Sequence, residues 1–336
     1  MSGGITQLVA IGAQDAHLVG DPQVSFFRSV YKRHTNFAHV VERQVIQGNP
    51  SPGGISTIRL ERRGDLASYI YLTSLTGAGA VQDWQDASIT KVELLIGGQV
   101  IDDQDNTFIT AVADPYTVSS VTKSAAAPTT FYPLHFWFCE NYQSALPLVA
   151  LQYHDVEIRI TWGAPASHKF ECYCDYIYLD TDERTSVAET AQDMLIYQTQ
   201  KSIPPASGKV HELNFNHPIK FLASNDRILA GNGDKLRLQL NGVDVGDTKN
   251  YTPHFNSTPR YYHCPFLADA EDLASFLLPF CLETNKLQPT GTLNFSRLDS
   301  ARLVSDTNFT STSNVYAVNY NILRIQNGMG GILYAN

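Results

Sequence analysis

Apolar and polar residues alternate along much of this chain. Ile58 and Leu60 alternate with Arg59 and Glu61, and Val156, Ile158 and Ile160 alternate with Glu157 and Arg159. A period of two is what a strand shows when one face is buried and the other meets water. Runs of this kind predict eight strands in the first half: His39–Gln47, Ile55–Glu61, Leu66–Leu75, Ile89–Ile96, Gln99–Ile101, Phe131–Cys139, Ala150–Thr161 and Phe170–Leu179. The second half repeats the style at Val210–Phe215, Ile219–Ala223, a Leu236–Val245 hairpin, Phe276–Leu282, Leu293–Arg297, Ala301–Val304 and Val315–Arg324. Eight antiparallel strands in two sheets is the count of a jelly roll.

The pattern also repeats at long range. Lys91 to Asp102 reads KVELLIGGQVID and Lys235 to Gly246 reads KLRLQLNGVDVG, two strand runs each folded back by a two-residue turn. The turn glycines Gly98 and Gly242 lie 242 − 98 = 144 residues apart, while Phe138-Cys139 is echoed by Phe280-Cys281 and Pro147 by Pro289 at a spacing of 142. A period so far above the roughly 20 to 50 residues of a solenoid repeat describes a duplicated domain. Asn241-Gly242 is a strong type I′ hairpin signal. The expected fold is therefore all-β, with two tandem eight-stranded antiparallel jelly-roll sandwiches. The boundaries read as an N-terminal arm and short helix over 1–37, a first sandwich over 38–180, a connecting helix and linker over 181–209, and a second sandwich over 210–336.

Two helices are expected. Asp21-Pro22 has the form of an N-cap followed by Pro at the first helical position, and Val24, Phe27 and Val30/Tyr31 would share one face of a short helix plugging the first domain. Asp180 followed by Glu183 is a capping signal, and Val187, Ala191, Met194, Leu195 and Gln198 would line one face of an inter-domain helix over Asp180–Gln200. The longest loops fall at 102–130 and 247–272, after the same hairpin in each half.

Composition narrows the functional classes. Lys plus Arg number 24 against 33 Asp plus Glu, a net charge of −9, so a broad basic surface for a phosphate backbone is not expected and nucleic acid is not expected as a direct ligand. No run approaches the roughly 20 apolar residues of a membrane span, and the opening MSGGITQLVAIG lacks the charged and apolar blocks of a secretion signal; folding in the cytosol is the expectation. The five cysteines, Cys139, Cys172, Cys174, Cys264 and Cys281, form no CxxC pair. Cys172 and Cys174 would stand on one face of a strand about 6.5 to 7 Å apart, a poor disulfide span, so reduced and mostly buried thiols are expected.

No recognisable catalytic or metal pattern stands out: HxH, GxSxG, GxxxxGK[ST] and HExxH are all missing. His211/His217 and His254/His263 are too widely spaced for a ligand pair and read as structural. Asp102, Asp103 and Asp105 lack the rest of a calcium loop and read as a solvated turn. No cofactor and no metal are expected. Arg28, Lys32 and Arg33, beside His34, form the one basic cluster and are candidates for contacts with an inner face. Asn250, Asn256, Asn294 and Asn308 match N-x-[ST], and Asn250 and Asn256 lie in the more exposed loop. Tyr251, Phe255, Tyr261 and Tyr262 could serve as stacking platforms for a sugar, which keeps a carbohydrate-binding jelly roll as an alternative function.

Several collinear segments point further. GITQLVAIGAQDAHLVGDPQVSFFRSVYKRHTNFA (Gly4 to Ala38), KVELLIGGQVID, FYPLHFWFCENYQSALPLVALQYHDVEIRI (Phe131 to Ile160), YLDTDER (Tyr178 to Arg184), ELNFNHPIK (Glu212 to Lys220), PTGTLNFSRLD (Pro289 to Asp299) and YAVNYNILRIQNGMGGILYAN (Tyr316 to Asn336) resemble, in order, the major capsid proteins of large eukaryotic double-stranded DNA viruses. That resemblance implies a double jelly roll and no enzymatic activity. It implies a homotrimer forming a pseudo-hexagonal capsomer, neighbouring capsomers and minor capsid proteins under the shell as partners, and an icosahedral virion as the location. The arm would lie toward the capsid interior, and the 102–130 and 247–272 loops would face outward. The chain is short for that family and has Cys139-Glu140 where more polar or basic residues are expected, which leaves a minor capsid paralogue as a further alternative.

Overall fold

The computed structural model describes residues 3–85, 88–117, 130–164, 169–205, 207–264, 275–309 and 313–335. The chain forms two compact units, Met1–Asn36 and Phe37–Asn336. The first holds a helix α1 (Gly3–Val9), a 3-10 turn (Ala13–Asp15) and a short helix α2 (Ala16–Val19), none with a buried residue. The helix expected after Asp21-Pro22 is not formed. Asp21 has φ +49°, outside the extended region an N-cap requires, and Phe26, Phe27, Val30 and Tyr31 are exposed. So short a helix has no stability without an apolar face to pack.

The second unit contains sixteen principal strands. In the first half these are β1 (Phe37–Gln44), β2 (Ile55–Arg59), β3 (Leu66–Leu75), β4 (Ile89–Ile96), β5 (Gln99–Asp105), β6 (Phe131–Pro133), β7 (Val156–Trp162) and β8 (Lys169–Leu179). In the second half they are β9 (Gln192–Ser202), β10 (Val210–Glu212), β11 (Pro218–Ser224), β12 (Lys235–Leu240), β13 (Val243–Asn250), β14 (Leu277–Pro279), β15 (Ala301–Ser305) and β16 (Val315–Gln326). A further strand, β17 (Met329–Ile332), pairs with β16.

Sheet order is the same in both halves. The first has β1-β8-β3-β6 facing β2-β7-β4-β5, and the second has β9-β16-β11-β14 facing β10-β15-β12-β13. All pairings among these strands are antiparallel. This is the jelly-roll arrangement, built twice. The hairpin turns match too: Gly97 and Gly98 have φ +58° and +82°, Asn241 and Gly242 +49° and +79°, the two positive values of a type I′ turn.

Two expectations about elements are corrected. The inter-domain helix α3 spans only Thr181–Glu189, capped by Asp180, whose side chain accepts from Thr181 N; residues 192–202 form β9 instead, paired along eleven positions with β16. The strand expected over Phe131–Cys139 stops at Pro133, and Trp137–Glu140 is a helical turn that buries Trp137, Phe138 and Cys139.

The core of the first sandwich runs on into the seam with the second, whose own interior is a separate cluster. Along β16, Tyr316, Val318 and Tyr320 belong to a cluster that includes Ile58, Leu94 and Trp137 of the first half, whereas Val315 and Ala317 belong to the interior of the second sandwich with Leu236 and Leu303. β16 is thus buried on both faces from Val315 to Asn321 and opens on an unbroken apolar run, Val315–Val318.

Candidate assembly surfaces

The seam between the sandwiches gathers buried charged and aromatic side chains, and each sandwich has surfaces equivalent to it. The seam forms where β5 and the helical segment after it, residues 106–116, lie against the sheet containing β9, β11 and β16.

Asp102 is its polar hub. Its Oδ1 accepts from Thr199 N at 2.8 Å and its Oδ2 from Gln104 Nε2 at 2.7 Å, and the same Gln104 nitrogen donates to His135 O at 2.8 Å. Gln198 donates to Ile101 O and is itself held by Asn321 Nδ2 at 2.9 Å. At the rim, Asp105 takes an ion pair from Lys201 at 2.7 Å and a hydrogen bond from the Tyr316 hydroxyl at 2.9 Å. Asp102 is 3% exposed, and burial pushes its carboxyl up to about 7, against the opposing hydrogen bonds from Thr199 and Gln104. The solvated turn expected at Asp102–Asp105 is therefore wrong for Asp102 and Asp105. Both point into strand or seam contacts because the sandwich that covers them comes from sequence a hundred residues away.

A second buried cluster stands beside it. His135 lies 2.6 Å from Glu140 Oε1 and 3.0 Å from Asp114 Oδ1. Burial alone would lower its pKa; the charge of Glu140 and the hydrogen bonds of both carboxylates outweigh that and raise it to about 9. The apolar part of the seam is aromatic. Phe108 packs on Tyr316 and Tyr116 on Phe221, with ring centroids 5.5 and 6.2 Å apart, and Arg260 Nε donates to the Tyr116 hydroxyl at 2.9 Å.

The equivalent surfaces at the free ends are uncovered. β13 corresponds to β5, yet all eight of its residues are exposed, Val243 and Val245 among them. The segment after it, residues 251–263, corresponds to 106–116 and presents Tyr261 and Tyr262, 78% and 69% exposed, with rings 5.0 Å apart and nearly perpendicular. On the other side, the outer face of the β1-β8-β3-β6 sheet corresponds to the face of β9-β16-β11-β14 that the first sandwich covers. It carries Tyr71 stacked on Tyr173 at 5.3 Å and edge-on to Phe131 at 5.7 Å, all partly exposed, with Val41 exposed on β1.

The other residues singled out in the sequence fall apart as a site. Arg28, Lys32 and Arg33 are exposed in the Met1–Asn36 unit and take no ion pair among the described residues. Asn250 is exposed at the end of β13. Asn256 is 5% exposed, capping the helix Ser257–His263 through its Oδ1 and donating from Nδ2 to Thr252 Oγ1 at 3.2 Å, so the nitrogen a glycan would need is enclosed. Tyr251 and Phe255 are buried, which removes half of the expected sugar platform. His211 is buried against Ser202, and burial lowers it to about 4. All five cysteines are free and buried. Among the described residues no cluster of His, Cys, Asp or Glu could hold a metal ion, and no helix is long and apolar enough to cross a membrane.

Residues 25–165 match the family model for the major capsid protein N-terminus, and residues 234–331 the one for the large eukaryotic DNA virus major capsid protein. The major capsid protein of Pyramimonas orientalis virus is 36% identical and that of Paramecium bursaria Chlorella virus 1 is 31% identical, each over the full length of both chains. The alignment with the first spans 398 positions for the 336 residues here, so relatives carry insertions that this chain lacks. Among solved structures, a quasi-atomic model of the PBCV-1 virus capsid superimposes with a TM-score of 0.76 at 27% identity, covering 93% of this chain and 100% of the other. The Faustovirus major capsid protein, at 11% identity and a TM-score of 0.66 over 94% of both chains, shares the fold.

Proposed function

The chain belongs to the major capsid proteins of large eukaryotic DNA viruses, and from that premise we propose that it builds the shell as a homotrimer whose contacts between chains repeat the seam within each chain. Its role is structural and its place is the virion capsid. The observation that carries the finer reading is the mismatch between equivalent surfaces: β5 and 106–116 are covered within the chain, whereas β13 and 251–263 are not. The sheet face that would receive them, with Tyr71, Tyr173 and Phe131, is uncovered as well.

The two surfaces differ, so the contact between copies is heterologous, and it closes into a ring if the rotation per step divides a full turn. A seam that turns each sandwich by a sixth of a turn onto the next closes with three chains and six sandwiches, giving a near-hexagonal block able to tile an icosahedral shell. Burying each large apolar side chain contributes about 1.5–3 kcal/mol, which works against the ordering cost of association. Neighbouring capsomers would meet the outer edges of this block, and minor capsid proteins its inner side. Synthesis in the host cytoplasm agrees with five thiols kept free.

Light scattering on the purified chain is expected to give the mass of three copies of 37.2 kDa. Replacing Val243 and Tyr261 together by Asp should leave a folded monomer. A wild type that stays monomeric at micromolar concentration, or a double variant that still trimerises, overturns this reading.

A further inference from the structure

Between the sandwiches, open to solvent, lies a cleft of about 520 Å³, lined on one side by Glu140, Asn141 and Gln143 of the first half and on the other by Lys220 and the segment 285–289 of the second. These walls are the duplicated Phe-Cys motifs: Phe138-Cys139 leads into one and Phe280-Cys281 into the other. Lys220 is 4% exposed. Its Nζ donates to Lys286 O at 2.8 Å and lies 5.8 Å from the centre of the Tyr320 ring. Among the described residues no carboxylate lies within ion-pair distance of it. The charged and titratable groups around it are the thiols of Cys264 and Cys281, Tyr320, Lys286 and Glu140, and Glu140 is already held by His135 at 2.6 Å.

A buried ammonium without a counter-charge is costly, and a ligand that brings the missing anion relieves that cost. On the cleft wall, Asn285 Oδ1 is buried without a hydrogen-bond partner. The amides of Asn141, Gln143, Asn285 and Gln288 both donate and accept, as a peptide backbone requires. The volume exceeds what a lone carboxylate fills and lies within the range of ordinary ligand sites. We propose that this cleft binds a carboxylate against Lys220, and that its amide walls favour one carried by an acidic peptide segment. The site goes beyond shell closure and does not rest on it.

The test is calorimetric titration of the full-length protein, in its native assembly, with acetyl-Gly-Asp-Leu-Gly-amide, with its Asn counterpart and with sodium acetate. The Asp peptide is expected to saturate one site per chain and the Asn peptide to bind at least about tenfold more weakly. Acetate binding as tightly as the Asp peptide would assign the same chemistry to a small free carboxylate. Lys220→Met should weaken the Asp peptide by about tenfold or more. The wild type should also take up protons on binding near pH 8, because burial lowers free Lys220 to about 8 and an anion raises it again; this readout does not depend on the variant folding. Equal binding of the Asn peptide, full affinity in Lys220→Met, or no proton uptake overturns the proposal. So does binding that emerges only when Asp269, Glu271 and Asp272 are neutralised to Asn, Gln and Asn, since the chain's own carboxylates would then be the occupant.

Discussion

At the scale of single residues, the seam concentrates the buried charges. His135 is enclosed between Glu140 and Asp114, and its pKa is raised to about 9 from an unfolded value near 6.5. A raised histidine contributes stability that is full below the unfolded value and is lost as pH rises through the folded one. The stability advantage of the wild type over His135→Gln should therefore be largest near pH 6 and shrink by on the order of 2 kcal/mol by pH 9, measured by chemical denaturation across that window. An advantage that does not vary with pH would remove the charge from the account. Asp102, pushed up to about 7, opposes stability increasingly as pH rises from about 4 to 7, because its charged form is the one burial penalises. Neither role could be read from the chain. Glu140 is five residues from His135, but Asp114 and Thr199 reach these sites only through the fold, and three aspartates in a row of four positions look like any wet turn until a sheet is laid over them.

At the scale of elements, the two hairpins show how much turn chemistry decides. Gly98 stands in open space at φ +82°, whereas a Cβ on Gly97, at φ +58°, would lie 2.5 Å from the ring of His154. That ring holds β17 through Gly330. Gly98→Ala should cost about 1 kcal/mol for the left-handed backbone alone. Gly97→Ala should cost about 2 to 4 kcal/mol because the ring must move as well, as thermal denaturation of the two variants would show; equal losses would mean that His154 gives way freely. The I′ turns and the strands Leu66–Leu75 and Ile89–Ile96 were legible, because turn residues and period-two alternation are local properties. β9 was not. Val187, Ala191, Met194, Leu195 and Gln198 fit a helical face while Met194, Leu195, Ile196 and Tyr197 fit a buried strand, and the capping signal at Asp180 is real but stops acting after nine residues. The eleven-position pairing with β16 is what settles the backbone.

At the scale of the whole molecule, the arm and the sandwiches behave as separate units. No helix of the arm buries a residue, so deleting Met1 to Gly20 should change the stability of the remainder by less than about 0.5 kcal/mol while reducing the yield of assembled shells. Outright unfolding of the truncated chain would place the arm in the core instead. The duplication also has an energetic consequence. One interface, the seam, is present in every chain as a covalently tethered contact, and in the proposed trimer the same kind of surface at each free end would provide the next contact.

Alternation of apolar residues, paired turn glycines, a repeat of about 140 residues and scattered cysteines were enough to determine two like all-β sandwiches with free thiols, since each of these encodes a one-sided, local burial. Which second faces become buried was decided only in three dimensions. β16 is covered on both sides from Val315 to Asn321 and β13 on neither, although β13 and β5 are counterparts in the repeat. The partner that removes water from a strand's outer face comes from distant sequence, or from another chain, and leaves no period in the strand itself.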